Sequence, residues 1–304
     1  MAVTVLVPSE EGRAALAGLD SVEPVVYDPG VEWPEQAQSA EVLVVPWQAS
    51  TREWVVAGLR DLPKLAMVQT LSAGYEVWEG RIPEGVQLVN GRGAHGRSSA
   101  ELVMAGLLAV YRQVPVFLAD QAEHRWDQHV TETLDTKRVL ILGAGDLAQS
   151  LRAQLTPFGA TVTLVGRTAR DGVHGFGELP DLLGRHDVVV LMVPSNDQTR
   201  HLADAAFLAR MPDRAVLVNV ARGPVVDTGA LLAELTAGRL RAVLDVTDPE
   251  PLPPDHPLWD APGVVIFPHV GGATEGANDR AWRIAAEQIR VFVAGQEPPN
   301  LVTG

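Results

Sequence analysis

The segment Lys137-Arg138-Val139-Leu140-Ile141-Leu142-Gly143-Ala144-Gly145-Asp146-Leu147-Ala148 passes from an apolar, strand-like run into a glycine-rich turn, then into a stretch that reads as a helix through Phe158. Gly143 permits the tight turn, and Gly145 lets a pyrophosphate approach the backbone with no Cβ in the way. Ala148 lets the helix pack close to the strand. The first helical residues, Asp146 and Leu147 among them, offer N–H groups and the positive end of a helix dipole to a diphosphate. A second strand, Thr161–Val165, ends about twenty residues on, as a dinucleotide-binding unit requires. It runs into Gly166-Arg167-Thr168-Ala169-Arg170. An NAD site usually carries an Asp or Glu there for the ribose hydroxyls, and that carboxylate would repel a 2′-phosphate. Two guanidinium groups in its place predict NADP(H) as the preferred cofactor, with NAD(H) as the alternative.

Three further segments carry chemistry. Asn219-Val220-Ala221-Arg222-Gly223-Pro224-Val225-Val226-Asp227 follows the strand Ala215–Val218. Asp245-Val246-Thr247-Asp248-Pro249-Glu250-Pro251-Leu252-Pro253 follows Arg241–Asp245, and Phe267-Pro268-His269-Val270-Gly271-Gly272 follows Val264–Ile266. Each sits past the carboxyl end of a strand, the edge at which open α/β sheets bind ligands, so one Arg, one Glu and one His reach the crevice of the nicotinamide. His95, His124, His129, His174, His186, His201 and His256 have no comparable setting, and none forms a metal-ligand pair at helical spacing. No metal site is expected.

The ordered set Gly143–Ala148, Asn219–Asp227, Asp245–Pro253 and Pro268–Ala273 resembles the D-isomer-specific 2-hydroxyacid dehydrogenase family. That family includes glyoxylate/hydroxypyruvate reductases and D-lactate, phosphoglycerate, phosphite and formate dehydrogenases. The likeness covers most of the chain and is strongest from Arg138 to Thr274. It implies an α/β fold in which a Rossmann cofactor-binding domain, residues 94–275, is inserted into a flavodoxin-like substrate domain of residues 1–93 and 276–304, with the active site in the cleft between. It also implies a homodimer formed through the helix Ser98–Arg112.

The roles that the resemblance implies are chemically coherent. Arg222 holds the substrate carboxylate and polarises its carbonyl. His269 gives the proton in reduction, and Glu250 bonds the far ring nitrogen, fixing the ring and favouring its protonated form. Ala73 and Gly74, in Leu71-Ser72-Ala73-Gly74-Tyr75, bind the carboxylate through backbone N–H groups, and Trp47 walls the pocket or simply packs. Asp245 contacts the nicotinamide carboxamide, and Val193, Pro194 and Val220 line the cofactor. Gly271 and Gly272 let the backbone approach nicotinamide and substrate. Phosphite dehydrogenases tend to carry a Lys where Ala73 stands, and formate dehydrogenases a Gln where Glu250 stands, so neither chemistry is expected. The expected activity is NADPH-dependent reduction of a small 2-keto acid, glyoxylate- or hydroxypyruvate-like, to the D-2-hydroxy acid. A phosphoglycerate or D-lactate type dehydrogenase is the alternative, although a chain ending at Gly304 leaves no room for a regulatory domain. A non-catalytic dinucleotide-sensing regulator is the alternative of another class.

Two departures from the family pattern stand out. Ala148 replaces the third glycine. The loop Asn90-Gly91-Arg92-Gly93-Ala94-His95-Gly96-Arg97-Ser98-Ser99 lacks the usual hydrophobic and acidic residues, and its Arg92 and Arg97 either reshape the pocket mouth, favouring a dianionic substrate, or are surface cations.

These residues must be positioned by a parallel sheet with crossover helices, since short β-branched runs alternate with longer Ala/Leu/Glu/Arg-rich stretches. Val3–Val7, Pro24–Tyr27, Val42–Val45, Leu65–Gln69 and Val86–Val89 read as a first set of five strands. Val139–Leu142, Thr161–Val165, Asp187–Val193, Ala215–Val218, Arg241–Asp245 and Val264–Ile266 read as a second set of six. Ser98–Arg112, with Leu102, Ala105, Gly106, Ala109 and Val110 on one stripe, reads as a buried or interface helix. Gly276–Gly295 reads as a helix with Trp282, Ala285, Ile289 and Val293 on one face.

Composition narrows the function further. The 304 residues include 24 Lys and Arg against 38 Asp and Glu, a formal charge of −14, which argues against a dedicated binder of nucleic acid or an anionic membrane. With 46% apolar residues the chain has material for sizeable cores. The absence of cysteine excludes disulfides, thiolate nucleophiles and iron–sulfur clusters. The N-terminus lacks signal-peptide features and no apolar run is long enough to span a bilayer, so a cytoplasmic protein is expected.

Overall fold

Parallel strands covered on both faces need unbroken apolar runs, and Val188–Leu191 is buried along its whole length. The computed structural model describes residues 2–302; positions 1, 303 and 304, which the expected domain ranges include, lie outside the described residues. The chain divides into one unit of Met1–His95 with Glu275–Gly304 and a second of Gly96–Thr274. The ranges expected from the sequence, 1–93 with 276–304 and 94–275, differ from these by one or two residues at each crossing.

In the first unit, β1 (Val3–Val7), β2 (Val22–Val26), β3 (Ala40–Val44), β4 (Met67–Gln69) and β5 (Gln87–Val89) form a parallel sheet in the order β2-β1-β3-β4-β5. That order is the flavodoxin-like winding. Side chains alternate across the sheet: Val5, Val7, Val42 and Val44 enter one core, and Leu6, Leu43 and Val45 the other. The helices α1 (Glu10–Leu16) and α2 (Arg52–Gly58) belong to this unit, and the Ser9 hydroxyl caps α1 by accepting from the Gly12 nitrogen.

In the second unit the strands are β6 (Arg138–Leu142), β7 (Thr161–Gly166), β8 (His174–Gly175), β9 (Val188–Leu191), β10 (Val216–Asn219), β11 (Arg241–Leu244) and β12 (Val264–Ile266). Their order, β12-β11-β10-β9-β6-β7-β8, reverses direction of growth between β6 and β9, the mark of a doubly wound Rossmann sheet. The expected count of six is one short. β8 is two residues long, pairs only through Val165 with His174 and Gly166 with Gly175, and carries no apolar run to reveal it.

The helices of this unit are α3 (Gly96–Tyr111), α4 (Val114–Ala122), α5 (Asp146–Leu155), α6 (Leu179–Leu183), α7 (Ala205–Arg210) and α8 (Thr228–Thr236). α5 stops short of the expected Phe158, because Pro157 has no N–H for a further helical bond and Thr156–Phe158 forms a tight 3-10 turn. The buried face of α3 is Ala100, Val103, Met104 and Leu107 with Gly106 and Val110, packed on Val139, Ile141 and Val243. Of the expected stripe, Gly106 and Val110 are buried, whereas Leu102 and Ala109 are half-buried and Ala105 is exposed. The sequence is apolar around most of this helix, so spacing left its inward face ambiguous.

α9 (Ala277–Val293) returns to the first unit and buries Trp282, Ala285 and Ile289 beside Val5, Val7 and Val44, with Val293 at the margin. Gly12 on α1 lets the Trp282 ring lie directly against that helix. Among the described residues, no single helix is long and apolar enough to cross a membrane.

Candidate active site

The second sheet delivers its loops in a row. Ile266 pairs with Leu244, Leu244 with Asn219, Asn219 with Leu191, Leu191 with Leu142, and Leu142 with Val165. The loops bearing His269, Glu250, Arg222, Val193 and the glycines therefore leave the same carboxyl edge. From β12 to β6 is four strand spacings, roughly 19 Å.

At the glycine turn, Gly143 adopts φ +127, and a Cβ there would stand 2.6 Å from the Met192 carbonyl oxygen, so no other residue fits. Gly145 is the N-cap of α5, and a Cβ on it would meet nothing within 4 Å. The turn thus presents bare backbone to open space at a helix N-terminus, and Asp146 and Leu147 begin a helix whose first N–H groups lack intrahelical acceptors. Ala148 is buried against the strand, as its small size allows. These features fit a bound diphosphate.

Past β7, Arg167, Thr168 and Arg170 are exposed. The Arg170 guanidinium lies beside Gly166 and donates to the Ala144 carbonyl at 3.4 Å, over the glycine turn. Glu178, the nearby acid, is turned to the His174 ring and the Gly175 nitrogen, at 2.7 Å each, and those bonds hold its carboxyl below the usual range. The residues Val165 to Arg170 at the end of β7 include no Asp or Glu.

After β10, buried Asn219 shapes the next loop. Its Oδ1 accepts from the Ala221 nitrogen at 3.1 Å, and its Nδ2 donates to the Arg222 carbonyl at 3.0 Å. The half-buried Arg222 side chain donates to the Ala221 carbonyl at 2.7 Å. Gly223 abuts the backbone of Thr247 and Asp248: a Cβ would overlap the Thr247 carbonyl oxygen and stand 2.9 Å from the Asp248 nitrogen. The Thr228 hydroxyl bonds the Asp248 carbonyl at 2.7 Å, so the Arg222 and Glu250 loops are seated on one another.

The Glu250 carboxylate meets His269 Nδ1 at 2.6 Å, both side chains being close to half exposed. His269 itself sits at φ 55, in the left-handed region where non-glycine residues are uncommon. The main-chain nitrogen of His269 donates to the Asp245 carbonyl at 2.8 Å. The buried Asp245 carboxylate then accepts from Val270 N at 2.7 Å and Gly271 N at 3.0 Å, pinning the turn that carries the imidazole. Each of its oxygens thereby accepts one backbone N–H. Val193, Val220 and Gly272 are half-buried and Pro194 is exposed along this edge, while Gly271 is buried, its Cα close to Asp245 and Ser99.

In the first unit, the loop after β4 has its carbonyls tied back. Thr70 Oγ1 donates to the Ser72 carbonyl at 2.7 Å, Asn90 Nδ2 to Ala73 at 3.0 Å, and Ser72 Oγ to Gly74 at 3.1 Å. The Gly91 nitrogen also donates to the Ser72 carbonyl, at 2.7 Å. Among the described residues no acceptor takes the N–H groups of Ala73 and Gly74. Trp47, exposed, donates its Nε1 to Asn278 Oδ1 at 3.3 Å and meets the His95 ring edge-on at 5.4 Å. Arg92 is bonded to the Pro299 carbonyl at 2.7 Å, so it ties down the C-terminal segment, and Arg97 is exposed.

Sequence reasoning gave no role to Asn219, Gly223 or Asn90. An Asn ahead of a turn was the available signal for Asn219 and Asn90; Gly223 had none, since its neighbour is 24 residues away. Among the described residues, no group of three or more His, Asp or Glu is arranged to hold a metal ion.

A Rossmann sheet that presents a glycine turn, an arginine and a Glu–His pair on one edge defines a dinucleotide-dependent oxidoreductase. The model of the D-isomer specific 2-hydroxyacid dehydrogenase NAD binding domain matches residues 104–271, and the chain belongs to that family, whose members act on CH–OH donors. It is 32% identical over 257 residues to the glyoxylate reductase of Thermofilum pendens, covering 79% of this chain and 75% of that one. It is 34% identical over 255 residues to D-3-phosphoglycerate dehydrogenase of Mycobacterium tuberculosis, covering 80% of this chain and 48% of that one. The chain therefore spans about half the length of those phosphoglycerate dehydrogenases. A D-isomer specific 2-hydroxyacid dehydrogenase from Xanthobacter autotrophicus, solved with NADPH and MES, superposes with a TM-score of 0.84 at 30% identity, covering 99% and 98% of the two chains.

Proposed function

We propose that the protein is an NADPH-dependent reductase of small 2-keto acids, glyoxylate- or hydroxypyruvate-like, yielding D-2-hydroxy acids. The observation that carries the reading is the 2.6 Å Glu250–His269 pair on the same sheet edge as the open glycine turn. A bound nicotinamide dinucleotide supplies the hydride. With Nδ1 facing Glu250, His269 Nε2 is the nitrogen that gives a proton to the substrate carbonyl oxygen. Glu250 fixes the ring, and Asp245 fixes the turn beneath it. The Arg222 fork holds the carboxylate and polarises the carbonyl. In the first unit, the N–H groups of Ala73 and Gly74 are the candidate backbone donors to a carboxylate. Gly143, Gly145 and the start of α5 receive the diphosphate. Val193, Pro194, Val220, Gly271 and Gly272 line the nicotinamide end.

The preference for NADPH is supported by Arg167 and Arg170 at the end of β7, where an NAD site would carry a carboxylate. It is also supported by the NADPH bound to the Xanthobacter relative. The test is kcat/KM with NADPH and NADH across glyoxylate, hydroxypyruvate, pyruvate and 3-phosphohydroxypyruvate. Preference for NADH overturns the cofactor reading. Preference for the phosphorylated acid favours the second reading, a phosphoglycerate-type dehydrogenase, to which the 34% identity points.

A second copy of this chain is the proposed partner. Val116, Leu118, Trp126 and Val130, on α4 and the segment after it, are exposed and apolar, Trp126 and Val130 at 95%. Sedimentation of wild type as a monomer at micromolar concentration would overturn the dimer.

A further inference from the structure

Asp146 is the first residue of α5 and follows its N-cap, Gly145, so a carboxylate stands in the turn that we read as the diphosphate site. A negative charge on that first turn competes with an anionic ligand for the same helix terminus. The structure turns this carboxylate elsewhere. It lies over Gly96, the first residue of α3. A Cβ on Gly96 would overlap Asp146 Oδ2, stand 2.9 Å from its Cγ, and reach 3.5 Å from the Leu147 nitrogen. The first N–H groups of α3 lack intrahelical acceptors, and the positive end of that helix dipole attracts the carboxylate.

We propose that Gly96 is a positioning residue for cofactor affinity: lacking a Cβ, it seats the Asp146 carboxylate on the start of α3 and keeps that charge off the turn that receives the diphosphate. The inference rests on the reading of the glycine turn as a dinucleotide site. A methyl group at position 96 meets the far end of a flexible side chain, so the helices need not move. The carboxylate must swing out instead. Its neighbour in the turn, Gly145, has open space where a side chain would stand, so a carboxylate displaced from Gly96 has no side chain at position 145 to hold it off the turn. Gly96 thus acts only through Asp146, and its effect disappears when the charge does.

The experiment is a fluorescence titration of NADPH into wild type, Gly96→Ala, Asp146→Asn and the double variant, with melting temperatures measured alongside. Gly96→Ala is expected to raise the Kd about tenfold with an unchanged or higher Tm, since alanine favours a helix. The double variant is expected within about twofold of Asp146→Asn alone, a rescue that general damage to α3 would not give. Wild-type affinity in Gly96→Ala overturns the inference, as does a double variant as weak as Gly96→Ala. If wild type binds no dinucleotide, the functional reading fails and this inference with it.

Discussion

Replacing Gly223 by alanine places a carbon about 1 Å inside the 3.0 Å limit that Cβ atoms respect, and the obstacle is the Thr247 carbonyl oxygen, a backbone atom. Neither partner can give way cheaply. The Arg222 loop is held by both polar groups of Asn219, and the opposing loop is bonded through Asp248 to Thr228. The two loops must part by about 1 Å, and they carry Arg222 on one side and Glu250 on the other. A misplacement of about 1 Å in a reacting constellation costs on the order of 100-fold in rate, about 2.7 kcal/mol of transition-state stabilisation. The assay is kcat/KM with the best 2-keto acid, beside the Kd for NADPH and the Tm. The expected outcome is a loss of about 100-fold in kcat/KM with NADPH affinity little changed, because the glycine turn lies on the far side of β9. Gly229→Ala is the control, since its added carbon would make only an ordinary 3.4 Å contact with Asp227. A folded Gly223→Ala variant within threefold of wild type would refute the idea that the seating of these loops positions the catalytic groups.

The remaining predictions concern the proton donor, the cofactor and the acid limit. His269→Ala should lower kcat by roughly 100- to 10,000-fold while NADPH still binds, measured by steady-state kinetics and titration; near-wild-type turnover removes the proposed role. Replacing Arg167 and Arg170 by Ser should lower the NADPH-over-NADH ratio of kcat/KM by about tenfold or more, and an unchanged ratio would place the 2′-phosphate elsewhere. Glu132 is shared by Lys137 at 2.8 Å, Arg214 at 2.9 Å and Arg241 at 3.0 Å. These cations outweigh the upward push of its partial burial and hold its carboxyl down at about 2. A depressed carboxyl stabilises the fold fully above its ordinary value of 4.5, and the contribution fades as pH falls towards 2. Denaturant unfolding of wild type and Glu132→Gln should therefore differ by about 2 kcal/mol from pH 5 to 7, after allowance for solvent screening, and converge near pH 2. A difference independent of pH would exclude the charge as its source.

Element types were legible along the chain because their signals are local. Val188–Leu191 is an apolar run bounded by turns, the glycines mark a turn between strand and helix, and the loops bearing Arg222, Glu250 and His269 each follow a run of strand residues. Local signals weakened where an element was short or uniformly apolar. β8 was missed for the first reason, and the inward face of α3 was legible only in part, at Gly106 and Val110, for the second.

The contacts that build the site had no such signature. Glu250 meets His269 across 19 residues, Asp245 pins Gly271 across 26, and Asp146 lies on Gly96 from 50 residues away. Each depends on which strands are neighbours and which loops share an edge, and that follows from the order β12-β11-β10-β9-β6-β7-β8. Sheet order is settled by packing two cores at once, a property of the whole unit rather than of any segment. Residue types and their spacing thus announce a dinucleotide chemistry, while the seating of Gly223 on Thr247 and of Asp146 on Gly96 arises only when distant segments are brought within van der Waals reach.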